Sequence, residues 1–163
     1  MAFTTINKSS DYFNTKLYSG NGSAGNAVTG VGFAPNMVWI KERSSTSSHT
    51  ISDTVRGIGK RVNPNLTSAE ETLANLMTSF DSDGFTNGAD NGVNQSGQTY
   101  ASWNWNGGTV AGSANTDGSI SSTVSVNTTS GFSIVKYTGT GSAGATVGPV
   151  SYTHLRAHET VDY

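Results

Sequence analysis

The sequence predicts an all-β sandwich of jelly-roll or lectin-like style. Short clusters of Val, Ile, Phe, Tyr and Trp recur along the chain, and β-branched and aromatic residues favour strands. Gly, Asn and Ser separate the clusters, as expected for turns. Charged residues make up only 12% and apolar residues 34% of the chain. The net charge of -2 and the regular apolar clusters nevertheless argue against disorder.

The apolar clusters place the strands of a first unit. They are predicted at residues 3–6, 12–18, 37–41, 50–52, 77–80, 84–86 and 98–106. The sequence DSDG at 81–84 ends in Asp-Gly and predicts a tight hairpin turn. Residues 68–76 predict one or two helical turns, because Thr67 or Ser68 can cap them and acidic residues follow at once.

A change in amino-acid composition marks the end of the first unit. Residues 107–118 contain little that can be buried and are predicted to be a linker. Apolar Ile120, Val124 and Val126 then alternate with polar residues, which predicts a half-buried strand, and residues 132–137 form the next one. The strand at 119–127 either completes the first sheet or begins a second unit.

One segment occurs twice. Residues 18–25, YSGNGSAG, return 119 residues later as YTGTGSAG at 137–144. Internal repeats of this kind indicate repeated structural units. The chain is therefore divided into a β-sandwich repeat at 1–108, a Gly/Ser/Asn linker at 109–118, the start of a truncated second repeat at 119–149, and a tail at 150–163.

The tail differs from everything before it. Residues 150–160, VSYTHLRAHET, resemble the translation of a sequencing-library adapter, so 150–163 is interpreted as a non-native artefact. His154, His158 and Glu159 lie within it, and their spacing allows a zinc pair on a helix. Their order does not match the metalloprotease signature, in which Glu follows the first His.

Composition restricts the classes of function. The chain has no Cys, so it contains neither disulfides nor a Cys-based metal site. No apolar run is long enough to span a membrane, and residues 1–5 lack the features of a signal peptide. We therefore expect synthesis in the cytosol. The near-neutral charge does not indicate a nucleic-acid partner.

Several blocks stand in a fixed order along residues 1–149. They lie at 3–6, 18–23, 35–44, 53–57, 80–85 and 100–105. In this order they resemble the repeat units of tail-associated and other virion structural proteins of marine bacteriophages. The resemblance implies a non-enzymatic structural role in the virion, in assembly with other subunits or repeats or in contact with the host surface. A carbohydrate-binding, lectin-like module that recognises host surface polysaccharide is the alternative, and an enzyme is a distant third.

The three tryptophans are the candidate ligand-binding residues. Trp103 and Trp105 are two apart on one strand and so share a face, where they could stack on a sugar. Because few other large side chains are available to fill a core, both are predicted to be mainly buried, and Trp105→Ala to cost about 3–5 kcal/mol. Trp39 alternates with the apolar Val38 and Ile40, so it lies either on an outer surface or in a strand buried on both faces.

Other candidate sites are weaker. Asp81, Asp83 and Asp90 could bind calcium, but their spacing does not fit an EF-hand, and we expect no metal or other cofactor. A group of five basic residues could bind phosphate, although nearby acids dilute its charge: Lys41, Arg43, Arg56, Lys60 and Arg61. No catalytic residue is predicted, since His49 lacks a nucleophile elbow beside it and Glu70 and Glu71 are adjacent, unlike a glycosidase pair.

Overall fold

The computed structural model describes residues 6–108 and 111–148, and the chain is all-β with a sandwich-like arrangement. In the first unit a single 3-10 turn precedes the strands at Ser9–Asp11. The strands are β1 Phe13–Ser19, β2 Asn26–Val28, β3 Met37–Glu42, β4 Thr50–Asp53, β5 Lys60–Arg61, β6 Glu71–Thr72, β7 Met77–Asp81, β8 Gly84–Asn87 and β9 Thr99–Trp105. One short helix, α1, covers Asn91–Asn94. No helix in these parts of the chain is long and apolar enough to cross a membrane.

Two antiparallel sheets form the body of the first unit. One has four strands in the order β1-β9-β3-β4, and the other has three in the order β2-β8-β7. The strand pair β5-β6 lies beside β4 through the bridge between Ile51 and Val62. Most predicted strands of this unit are confirmed to within one or two residues, because the alternation of apolar and polar residues defines them.

The hydrophobic core lies between these two sheets. The four-stranded sheet contributes inward-facing side chains from β3 and β9, and the three-stranded sheet contributes them from all of its strands. The buried members are Val28, Val38, Ile40, Leu76, Met77, Phe85, Val93 and Tyr100. This is the two-layer solution by which half-apolar sheets remove one face from water.

The predicted turn at 81–84 is confirmed as the hairpin between β7 and β8. Asp81 pairs with Gly84, so two residues form the loop. Gly84 has φ +148°, and a Cβ there would lie 1.9 Å from the carbonyl oxygen of Val28 on the neighbouring strand. Glycine is therefore required at this position both by conformation and by close approach.

Residues 111–148 contain a separate small sheet, and we call this part of the chain the second unit. Its strands are β10 Ser113–Asn115, β11 Ser122–Asn127 and β12 Phe132–Tyr137, in the order β10-β11-β12. The strand predicted at 119–127 thus pairs with β10 and β12 and not with the first unit's sheets. The segment predicted to be a linker contains β10, which short polar side chains can form when the neighbouring strand supplies backbone partners.

The helical turns predicted at 68–76 are wrong. Within that range the structure has the strand Glu71–Thr72, which pairs with β5. Glu71 accepts a 2.8 Å hydrogen bond from Arg61 across the pair, and Glu70 accepts one of 2.9 Å from Lys60. Glu70 and Glu71, which were predicted to lie in the first turn of a helix, therefore form ion pairs with the neighbouring β5 segment.

The predicted orientation of β9 is also wrong. Tyr100, Ser102 and Asn104 are fully buried, whereas Trp103 and Trp105 lie on the outer face of the sheet and are half-buried. The side-chain donors of Ser102 and Asn104 bond within the sheet, whereas Asn104 Oδ1 has no hydrogen-bond partner among the described residues. The amide nitrogen of Asn104 donates to the backbone oxygen of Asn14 at 3.0 Å and to Ser102 Oγ at 3.1 Å. Small hydrogen-bonded side chains can face inward at low cost.

Some predictions fall outside the described residues. These are most of the strand at 3–6, the first two residues of the predicted linker at 109–118, the last residue of the predicted second repeat at 119–149, and the tail at 150–163 with His154, His158 and Glu159.

Candidate functional site

The three tryptophans lie together on the outer face of the four-stranded sheet. The register aligns Trp103 with Trp39 on β3, and Trp105 with Phe13 on β1 and Met37 on β3. The next row toward the other end of the sheet pairs Ala101 with Leu17 and Lys41. We call this surface the aromatic face, and it consists of Phe13, Leu17, Met37, Trp39, Trp103 and Trp105.

Ring contacts run across the aromatic face. Trp39 and Trp103 meet edge to face, with ring centroids 6.1 Å apart and planes inclined by 65°. Phe13 lies 4.9 Å from Trp105 in a tilted arrangement. Cross-strand aromatic pairs of this kind stabilise a sheet by roughly 0.2–1 kcal/mol each. They also explain how indoles outside the core become half-buried.

His49 closes one side of the aromatic face. Trp39 Nε1 donates a 2.9 Å hydrogen bond to His49 Nδ1, and the rings lie 5.7 Å apart. The imidazole is thereby positioned as an acceptor for an indole. The backbone N–H of His49 donates to Asn65 Oδ1 at 3.0 Å, and this bond holds the loop that carries His49.

The second unit covers the opposite end of the aromatic face. Phe132 of β12 stacks on Trp105 with centroids 6.0 Å apart and planes inclined by 17°. Ser125 Oγ donates to the backbone oxygen of Gly107 at 3.0 Å, and Lys136 Nζ donates to that of Val55 at 3.1 Å. The far end of the aromatic face stays open, since Leu17 there is 67% exposed, and Phe13 beside Trp105 is still 40% exposed.

Sequence reasoning identified the tryptophans of this surface but missed Phe13, Leu17 and Phe132. In β1 the alternate positions both carry aromatic residues, Phe13 on one face and Tyr18 on the other. The pattern alone therefore does not show which face is inside. The pairing of Phe13 with Trp105 could be found only from the register between strands that are distant in sequence.

Comparison with known protein families identifies the family of this chain. The sequence profile of the domain of unknown function DUF7483 matches residues 8–153. The chain belongs to this family. The matched range of the DUF7483 domain runs through both units described above. No significant match was found among curated proteins or among solved structures.

The candidate calcium ligands of the DUF7483 domain have separate protein partners. Asp81 Oδ2 accepts from Thr86 Oγ1 at 2.7 Å, and Asp90 Oδ1 accepts from the N–H of Gly92 at the start of α1. Asp83 accepts from the N–H groups of Gly30 and Gly32 at 2.9 and 2.6 Å. Within residues 6–108 and 111–148 no three acidic or histidine side chains are grouped to hold a metal ion. The three carboxylates serve turns and a helix cap.

Asp83 gives a prediction on pH. The N–H groups of Gly32 and Gly30 hold the pKa of its carboxyl below the usual value. A lowered folded-state pKa means that the ionised carboxylate stabilises the fold above the unfolded pKa, and that this contribution is lost as pH falls through the folded value. We expect Asp83→Asn to lower the melting temperature at pH 7. The difference from the wild type should shrink below pH 4. Equal differences at pH 7 and pH 3 would contradict this assignment.

Most of the basic cluster is paired with acids. Arg56 bonds Asp53 and lies 3.6 Å from Glu70, and Lys60 also bonds Glu70. The Lys60 ammonium accordingly holds the pKa of Glu70 below its usual value. Arg61 bonds Glu71 and lies 3.6 Å from Asp90. These pairs hold β4, β5, β6 and α1 together and leave little unbalanced positive charge for a phosphate.

A polar cavity of about 690 Å³ lies beside these ion pairs. Its lining residues include Arg61, Glu71, Asp90 and Asn91, whose side chains carry both donors and acceptors. Thr50, which is only 1% exposed, also lines it, and its Oγ1 has no hydrogen-bond partner in the described residues. The cavity thus presents both donors and acceptors to a polar ligand.

Proposed function

We propose that this chain is a non-enzymatic structural repeat of a phage tail or virion-surface protein, acting in assembly or host-surface contact. It works by packing its aromatic face against other repeats or subunits. The phage assignment rests on the resemblance of the ordered sequence blocks. The packing role rests on one observation: Phe132 of the second unit already stacks on Trp105 at one end of the aromatic face.

The chemistry of the aromatic face suits a protein partner. Trp and Met are enriched at the centres of protein interfaces, where charged side chains are depleted. The face presents three Trp, one Met and the exposed Phe13 and Leu17, with Lys41 at one end. Contiguous exposed apolar surface of this kind usually marks an interaction site.

Leu17→Lys tests this proposal. Leu17 is 67% exposed, so its replacement should leave the melting temperature within about 2 °C. A desolvated lysine in the interface should weaken self-association of the chain at least tenfold, about 1.4 kcal/mol. Sedimentation velocity over a concentration series measures this.

Leu66→Lys is the matched control for that experiment. Leu66 is 52% exposed and belongs to the loop between β5 and β6, which contributes none of the six residues of the aromatic face. It should leave self-association at the wild-type level. Equal behaviour of the two variants, or a chain that stays monomeric at every concentration, would argue against assembly through the aromatic face.

A second candidate function is a carbohydrate-binding module that recognises host surface polysaccharide. The polar cavity favours it, because its volume and its mixture of donors and acceptors suit one or two sugar rings. The tryptophans favour it less, since the planes of Trp39 and Trp103 are inclined by 65° and do not form one flat platform.

Calorimetric titration with purified host polysaccharide separates the two functions. Binding that is lost in Asn91→Ala would locate the sugar in the cavity, and binding lost in Trp103→Ala would locate it on the aromatic face. Absence of binding to the wild-type chain would exclude that polysaccharide as the ligand and leave the assembly role.

A further inference from the structure

The repeated segment folds in the same way both times. It follows β1 at residues 20–25 and β12 at residues 139–144. Gly22 and Gly25 have φ of +72° and +87°, and their counterparts Gly141 and Gly144 have +72° and +76°. The second copy thus adopts the same turn as the first.

The turn is enclosed by the protein in the first unit. Gly20 exchanges backbone hydrogen bonds with the residues before β9, donating to Gln98 at 2.9 Å and accepting from Gly97 at 3.2 Å. A Cβ on Gly20 would lie 2.1 Å from the backbone oxygen of Gln95. This close packing explains why glycine is needed there.

Tyr18, just before the turn, is equally well enclosed. Its ring stacks on Tyr100 of β9 at 5.1 Å, and its hydroxyl donates to the backbone oxygen of Val93 at 2.8 Å. Burial raises the pKa of that hydroxyl. The segment from α1 to β9 therefore supplies the partners of both the tyrosine and the turn.

The second copy lacks this environment. Tyr137, the counterpart of Tyr18, is 55% exposed. Gly139, the counterpart of Gly20, has no heavy atom within 4 Å of a Cβ position and has no positive φ. Neither its conformation nor its described neighbours require glycine. Gly20, in contrast, must be glycine, because a Cβ there would collide with the backbone of the residues before β9.

The edge of β12 completes the comparison. In the first unit β1 pairs along its whole length with β9. Its counterpart β12 is an outer strand of the small sheet, and in the described part of the chain only β11 pairs with it. Unpaired strand edges are templates for a further strand.

We propose that β12 and the turn at 138–144 are a docking surface for one occupant, a segment of the 88–106 type from a further repeat of this fold. The occupant adds a β9-like strand to the free edge of β12, stacks an aromatic ring on Tyr137 and packs its backbone against Gly139. The proposed contacts use the free edge of β12, Tyr137 and Gly139, whereas the aromatic face consists of residues on β1, β3 and β9, so different variants test the two roles.

Extending the chain tests the docking surface. Gly148 is the counterpart of Thr29, so a copy of residues 30–108 joined after Gly148 completes a second unit without supplying a β1 strand of its own. Hydrogen exchange of residues 132–138 is compared between the 163-residue chain and the extended chain. We expect exchange to slow at least about tenfold on extension. Unchanged exchange would overturn the proposal.

Gly139→Ala provides the matched variant. In the 163-residue chain it should leave exchange of β12 unchanged, because nothing lies within 4 Å of the added methyl group. In the extended chain it should return β12 to the fast exchange of the 163-residue chain. Gly20→Ala is the control, and it should destabilise the first unit in both chains. A Gly139→Ala variant that leaves the extended chain fully protected would also overturn the proposal.

Discussion

Gly84→Ala is expected to abolish folding of the first unit or to lower its stability by more than about 4 kcal/mol. Two effects act together. At φ +148° an L-residue is strongly disfavoured, and the added methyl carbon would lie 1.9 Å from the backbone oxygen of Val28. Relief requires separating β2 from β8, which would open the three-stranded sheet over the buried Phe85.

The measurement is thermal unfolding followed by circular dichroism. A loss of this size lowers the melting temperature by on the order of 15 °C or more in a domain of about 100 residues. Gly97→Ala is the matched control, because Gly97 also has positive φ, +77°, but has nothing within 4 Å of a Cβ. It should cost only about 1–2 kcal/mol. Equal losses for the two variants would show that the contact with Val28 contributes nothing.

The longer strands of the first unit could be predicted from sequence because their signals are local, whereas the short strands β2, β5 and β6 were not predicted. In β3, Met37, Val38, Trp39 and Ile40 form a short apolar run with β-branched and aromatic residues, and such a run predicts a strand. The Asp-Gly at the end of the β7–β8 turn is another local signal, since only glycine suits that backbone. Fold class and strand positions followed from such signals.

The inner face of β9 could not be predicted in this way. Tryptophans are expected in so poor a core only if apolar side chains always face inward. In the structure Ser102 and Asn104 face inward because nearby backbone oxygens accept their hydrogen bonds, and Trp105 is covered from outside by Phe13 and Phe132. Both causes depend on contacts between distant segments, which a local pattern does not contain.

The same limit applies to the candidate site. The sequence indicated Trp39, Trp103 and Trp105 as residues of interest, but their alignment depends on β9 lying between β1 and β3. Since β3 and β9 are more than fifty residues apart in sequence, no local signal reports that order. The orientation of each strand decides whether these side chains form a core or a surface.

Asn94 at the end of α1 is a buried polar residue that sequence reasoning did not single out. It is fully buried, and its amide nitrogen donates to the backbone oxygens of Gly88 at 2.7 Å and Ser23 at 2.8 Å. Its Oδ1 accepts from the N–H of Asn21 at 2.9 Å. One side chain thus connects the turn after β1 to the segment between β8 and α1.

Asn94→Leu is expected to destabilise the first unit by about 2–4 kcal/mol. Leucine has a similar volume, so the loss arises from the unmade hydrogen bonds and not from a cavity. The oxygen of Gly88 is buried and would lose this donor, and a buried polar group without its partner costs about 1–3 kcal/mol. The turn at 20–25 would also lose the contacts of Asn21 and Ser23.

Asn91→Leu, a substitution at an exposed position in the same helical turn, is the control and should change stability by less than about 0.5 kcal/mol. Urea unfolding followed by tryptophan fluorescence gives both values, and hydrogen exchange should accelerate at residues 21–25 in the Asn94 variant alone. A loss confined to below 1 kcal/mol, with protection of that turn unchanged, would mean that water replaces the Asn94 amide without penalty.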